Sequence, residues 1–366
     1  MLRLIFIVIF SAVALFGCGK KNEKTDVGFI GTISGRYSDL GQATLQGVML
    51  AIESYGASEN INLVVKDDFG KPSDGARIIS EFAEDNVRYV IGPSISSVAT
   101  AVVPMLEAAN VRMLSPTVST SSLAGKKDNF ARIMPHNSFK QAGVISTYLL
   151  NKLDIKDIVI LYDSRNSSYS NDIVKQFAEA YMAQGGSIRD VRSFNPDSGQ
   201  SLSTLLDDDR EDPPAMYYVI GSAMDTSLII WQIKKAGMKS KVLIRKWAAS
   251  SDFYRLGGEA VEGVMLFDYY INTDTDQYKA FAKAYKKKFM AEPSWMGVYG
   301  YEAARILLNA LDEVKSGMNF NAALAKAAQN NEILKNMEFD EYGDAYLPLH
   351  YFVIENGETV YKGLAE

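Results

Sequence analysis

The chain has 366 residues, 47% hydrophobic and 22% charged, with a formal net charge of −6; the length fits two or three folding units, and the acidic balance gives nucleic acid no basic face to grip. A single cysteine, Cys18, and two distant histidines, His136 and His350, exclude an intramolecular disulfide. They also leave a zinc site short of ligands and speak against metal, cofactor or histidine-triad chemistry.

The N-terminus reads as a processing signal. Arg3 precedes an almost unbroken apolar run over 4–16, shorter than the roughly 20 residues that span a bilayer and of the length of a signal-peptide core. The run ends in Leu15-Phe16-Gly17-Cys18, which resembles a bacterial lipobox, although Phe16 is bulkier than the usual residue there. The expectation is a signal peptide over 1–17, lipid on the Cys18 thiol and a polar tether over 18–25; the alternative is an ordinary signal peptide with an incidental cysteine. Lipidation places the protein outside the cytoplasm, held to a membrane and facing the periplasm or cell exterior.

From Asp26 onward strand and helix patterns alternate. Expected strands at 27–33, 61–66, 88–91 and 111–114 flank expected helices at 41–55, 73–84 and 97–109. The first helix carries Leu45, Val48, Met49 and Ile52 at helical spacing, and the last strand leads into a Ser/Thr-rich loop over 115–122. A second set follows: helices at 141–151, 171–183 and 225–236, and strands at 157–162, 187–191, 216–220, 241–244 and 264–267. Helices at 277–289 and 298–314 come next, then a hairpin over 346–361 turning at Asn356-Gly357. The alternation implies an α/β protein with parallel sheets covered by helices, and the like layout of the two sets implies two lobes of one architecture. The acidic stretch 207–212 reads as a solvated turn rather than a calcium loop. No G-x-G-x-x-G follows the first strand, and neither G-x-x-x-x-G-K-[ST] nor G-x-S-x-G occurs, so an enzyme is disfavoured.

Ligands of open α/β sheets sit beyond the carboxyl ends of strands, which singles out 94–97 and 115–120. Ser96 and Ser97 stand where a helix begins. They can cap it, or hold an anion together with free backbone N–H groups.

Five stretches, VGFIGTISGRYSDLGQATLQG (27–47), YVIGPSISSVATAVVP (89–104), MLSPTVST (113–120), Tyr162-Asp163 with Tyr169-Ser170, and FDEYGD (339–344), occur in the order seen in periplasmic binding proteins for branched-chain amino acids and amides, a family that the chain resembles over nearly all its mature length. The resemblance implies a type I periplasmic binding protein fold, with two doubly wound, Rossmann-like lobes joined by a three-stranded hinge near Phe139, 267–270 and 345–347. Lobe one would take 26–138 and 270–345, lobe two 139–269 and 346–366. The lobes would close over a small solute (an amino acid, amide or organic acid) and deliver it to the permease subunits of an ABC transporter. A ligand-sensing or regulatory lipoprotein of the same fold is the alternative.

By the resemblance, Ser96 and Ser119 hold the ligand carboxylate with Ser97 beside them, Thr117 offers a backbone contact, and Tyr169 covers the ligand. Three positions depart from the family. An aromatic residue becomes Leu40, a tyrosine becomes Ser222 or Ala223, and the acidic residue that pairs with an ammonium falls on Lys246. A cation repels an ammonium. Lys246, with Arg245 beside it, is therefore expected to meet an anionic group or a carbonyl, with Trp247 stacking on an apolar body. The other outcome is a shifted loop that turns Lys246 to solvent.

Overall fold

The structure, a computed structural model, describes residues 24–54, 60–329 and 331–365; the signal segment, Cys18 and most of the tether lie outside the described residues. The first lobe is built on β1 (Thr25–Gly31), α1 (Ser38–Ser54), β2 (Ile61–Asp67), α2 (Pro72–Glu84), β3 (Tyr89–Ile91), α3 (Ser96–Val102), β4 (Arg112–Ser115) and β5 (Phe130–Arg132). Its five strands pair in parallel in the order β2-β1-β3-β4-β5. The chain then passes to the second lobe: α4 (Phe139–Asn151), β6 (Asp157–Asp163), α5 (Ser167–Ala183), β7 (Ser187–Phe194), β8 (Met216–Ile220), α6 (Ala223–Lys235), β9 (Lys241–Ile244), α7 (Ser251–Gly257) and β10 (Met265–Tyr269).

It returns to the first lobe with α8 (Asp276–Phe289), α9 (Trp295–Lys315), α10 (Phe320–Ala328), β11 (Glu338–Phe339) and β12 (Ala345–Tyr346). It crosses once more into a hairpin of β13 (Leu349–Glu355) and β14 (Glu358–Leu364). The second sheet has the order β14-β13-β10-β9-β8-β6-β7. Strands β6 to β10 run parallel, while β13 joins β10 antiparallel.

Burial explains why these segments form. Strand β8, MYYVI, is buried throughout, as a parallel strand covered on both faces should be. Helix α9 is buried over most of its circumference, which marks a helix inside a lobe rather than on its surface. It lies against α1 so closely that a Cβ on Gly47 would stand 2.1 Å from the Gly297 carbonyl oxygen, and one on Gly300 would stand 2.2 Å from that of Thr44. Only glycine allows backbones to approach this far.

Several elements differ from the sequence reading. The helix expected over 97–109 ends at Val102 and tightens into a 3-10 turn at Val103–Met105, because Pro104 lacks the donor that another α-helical turn needs and its ring would oppose the carbonyl four residues back, that of Thr100. The first strand ends at Gly31, and α1 starts at Ser38 rather than 41. The stretch expected as a solvated turn belongs in part to a 3-10 helix, Leu202–Asp209. Its last carboxylate is buried, taking Arg192 and the Tyr217 hydroxyl. Helices α7 and α10 and strands β5, β11 and β12 were not anticipated.

Candidate solute-binding site

Strand ends of both lobes meet across one cleft. On the first wall, β3 leads through Ser94 into α3, and β4 ends at Ser115. Ser115 Oγ donates to the Pro93 carbonyl (2.9 Å) and Thr117 Oγ1 to that of Ser94 (2.7 Å), so the two loops are tied into one surface. Ser94, Ser96 and Ser119 are buried there. Among the described residues, Ser94 Oγ has no hydrogen-bond partner.

On the second wall, β6 leads to Asn166 and to Tyr169 in the first turn of α5. Strand β9 ends at Ile244 and leads into Arg245-Lys246-Trp247, and β10 presents Phe267, Asp268 and Tyr269. Trp295, at the start of α9, and Leu349 close the floor. Together these groups line a cleft with about 560 Å³ of empty space, part of it open to solvent.

The rim is fastened from lobe to lobe. Ser97 N–H and Oγ both donate to Asn166 Oδ1, at 3.2 and 3.0 Å. Ser121 N–H donates to Asp172 (2.7 Å), and Tyr37 Oη donates to Asp163 (2.9 Å). Arg36 reaches Asp225 at 2.8 Å and Asp197 at 3.1 Å, while Arg165 binds both of these and Asp163. Trp247 stands between Tyr37 and Tyr169, edge to face, at 5.2 and 5.4 Å.

The two cations of the second wall differ. Lys246 Nζ lies 2.8 Å from Asp268 Oδ1 and over the rings of Tyr299 (4.6 Å) and Trp295 (5.0 Å). Burial pushes its pKa down, and Asp268 pulls it back up. The Arg245 guanidinium donates to Asn137 Oδ1 (3.1 Å) and sits among Tyr169, Tyr218 and Tyr269. Burial raises the pKa of each of these hydroxyls, that of Tyr218 to about 12, so they are neutral neighbours. Among the described residues no carboxylate lies within ion-pair distance of Arg245, and its Nε has no partner.

Of the residues singled out from sequence, Leu40, Ser96, Thr117, Ser119, Tyr169, Lys246 and Trp247 line the cavity. Ser97 and Ser222 do not. Ser97 is spent on Asn166 across the rim, and Ser222 caps α6 and donates to Asp225. Helix α3 has only 7 residues, while a charged donor stands on the opposite wall. Lys246 is not turned to solvent, but its charge is already met by Asp268. Sequence reasoning missed Asn166, Asp268 and Trp295. Leu266 pairs with Ile244, and Asp268 and Lys246 each lie two residues further on, a register that the sequence does not announce.

Among the described residues no group of His, Cys, Asp and Glu is placed to hold a metal ion, and no helix is long and apolar enough to cross a membrane.

A family of proteins described as periplasmic binding proteins matches residues 24–347. The chain belongs to this family. This periplasmic binding protein is 24% identical to Leu/Ile/Val-binding protein homolog 3 of Brucella melitensis, the alignment covering 98% of the chain and 99% of the relative. It is 22% identical to the leucine-, isoleucine-, valine-, threonine- and alanine-binding protein of Pseudomonas aeruginosa, covering 92% of each. Its fold is shared with a leucine-binding protein of Thermotoga maritima (TM-score 0.81, 22% identity, 93% and 99% covered). It is shared equally with an ABC transporter solute-binding protein of R. palustris in complex with benzoate (TM-score 0.82, 19% identity, 93% and 96% covered). The fold is therefore the type I arrangement of two α/β lobes, and the family implies a protein exported to the periplasm.

Proposed function

We propose that this protein is the extracytoplasmic receptor of an ABC transporter, anchored by lipid on Cys18, which closes two lobes over a small carboxylate-bearing organic solute and hands it to the permease subunits. The observation that carries the reading is the cleft lined from both lobes and fastened across its rim. Hinge closure over a ligand is how such two-lobed binders work. The ligands named for its relatives, branched-chain amino acids and benzoate, support a small organic solute. The lobes comprise 26–138 with 270–345 and 139–269 with 346–366. Leu40, Ser96, Thr117, Ser119, Tyr169 and Trp247 contact the solute, and Ser97 and Ser222 serve closure. The site binds without turning its solute over.

Mass spectrometry of small molecules released by denaturing the freshly purified protein tests this. The expected result is one organic acid or amino acid near equimolar with protein, absent after stripping and restored on incubation. A preparation that yields no such molecule, and that gains none from a panel of amino acids, amides and organic acids, contradicts the proposal.

A further inference from the structure

Resting on that reading, we infer that the solute is an apolar monocarboxylate without an ammonium group, and that Arg245 is the residue that receives its carboxylate. The argument is one of charge. Among the described residues Asp268 is the one carboxylate that lines the cavity, and its Oδ1 already faces Lys246 Nζ at 2.8 Å and accepts the Tyr269 N–H at 2.7 Å. An ammonium arriving there would share that carboxylate with a buried lysine and stand close to a like charge.

Arg245 is the unmatched charge. It is half-buried, lines the cavity, holds only neutral oxygens, and its Nε is shut off from solvent without a partner. A cation with a desolvated donor and no counter-charge is unfavourable. A carboxylate supplies that charge and suits the planar guanidinium fork. Arg245, Lys246 and Asp268 together leave the wall with one net positive charge, which a monoanion neutralises and a zwitterion does not. Beyond the hydroxyls and the Asn166 amide of the first wall and rim, much of the lining is apolar or aromatic, including Leu40, Ile95, Trp247, Phe267 and Trp295, so the solute body is largely apolar as well.

Calorimetric titration of the stripped wild-type protein with matched pairs isolates the ammonium: leucine against 4-methylpentanoate, and phenylalanine against 3-phenylpropanoate, with benzoate as a ring-only probe. In at least one pair the deaminated acid is expected to bind tighter by at least about tenfold, the size of one charge-assisted hydrogen bond. Arg245→Gln should weaken that acid about a hundredfold, and Arg245→Lys should recover part of the loss. Circular dichroism melting confirms that each variant is folded. An amino acid binding tighter than its deaminated partner overturns the inference and leaves the receptor function standing. So does tight acid binding that folded Arg245→Gln leaves unchanged. Binding of neither class, with neutral amides bound instead, overturns it too, and failure of every solute removes the receptor reading beneath it.

Discussion

Asp344→Ala is expected to lower unfolding stability by about 3–5 kcal/mol, because it strands a buried arginine. Arg132 closes β5 and is fully buried. Its Nε donates to Asp344 Oδ1 at 2.6 Å, and a terminal nitrogen donates to the Thr120 carbonyl at 2.6 Å. The other Asp344 oxygen accepts the Gly125 N–H, and the Arg132 N–H donates to the Gly343 carbonyl. One carboxylate thus joins the turn before β12 to the end of the first sheet, beside two of the passages between lobes. Burial pulls the Arg132 pKa down and Asp344 raises it, so without Asp344 the charge keeps the desolvation and loses what offsets it. Urea unfolding measures the loss. A change under about 1 kcal/mol would show that water reaches Arg132 and that the pair is not sealed.

Gly300→Val is expected to be of similar severity, about 3 kcal/mol or more, at the upper end of overpacking effects. The colliding atom is the Thr44 carbonyl oxygen, part of a helix backbone rather than a side chain that can swing away. Helices α1 and α9 would have to separate along the contact that also includes Gly47 and Gly297. Gly143→Ala is the control. Gly143 lies within α4, and an added Cβ there would meet only the Gln184 amide nitrogen at 3.6 Å. That substitution should stabilise by about 0.4–1 kcal/mol through reduced freedom of the unfolded chain. Thermal melts of the two variants should therefore move in opposite directions. If both fall equally, close approach of α1 and α9 is not the reason for glycine at 300.

The same reasoning marks what was legible from sequence. Strands β8 and β9 were placed at their observed bounds because strands covered on both faces read as unbroken apolar runs. Helix α3 was overextended because apolar spacing continues past Pro104 while the hydrogen-bond ladder does not. Strands β11 and β12 are two residues each and exist only by pairing with each other, which no local pattern announces. In the cleft, Ser96 and Ser119 were found because strand ends point to them. The division of labour between Arg245 and Lys246 was not, since it depends on Asp268 and Asn137, 22 residues later than Lys246 and 108 before Arg245.

A crystal structure of the protein with its co-purified solute tests the central claim most directly. The account predicts density inside the inter-lobe cavity, touched by Ser96 or Ser119 from one lobe and by Arg245 and Tyr169 from the other, with the Arg36 to Asp225 contact formed across the rim. Solute bound on a single lobe, or a cleft filled by the protein's own side chains with Ser96 and Ser119 turned out of it, would contradict it.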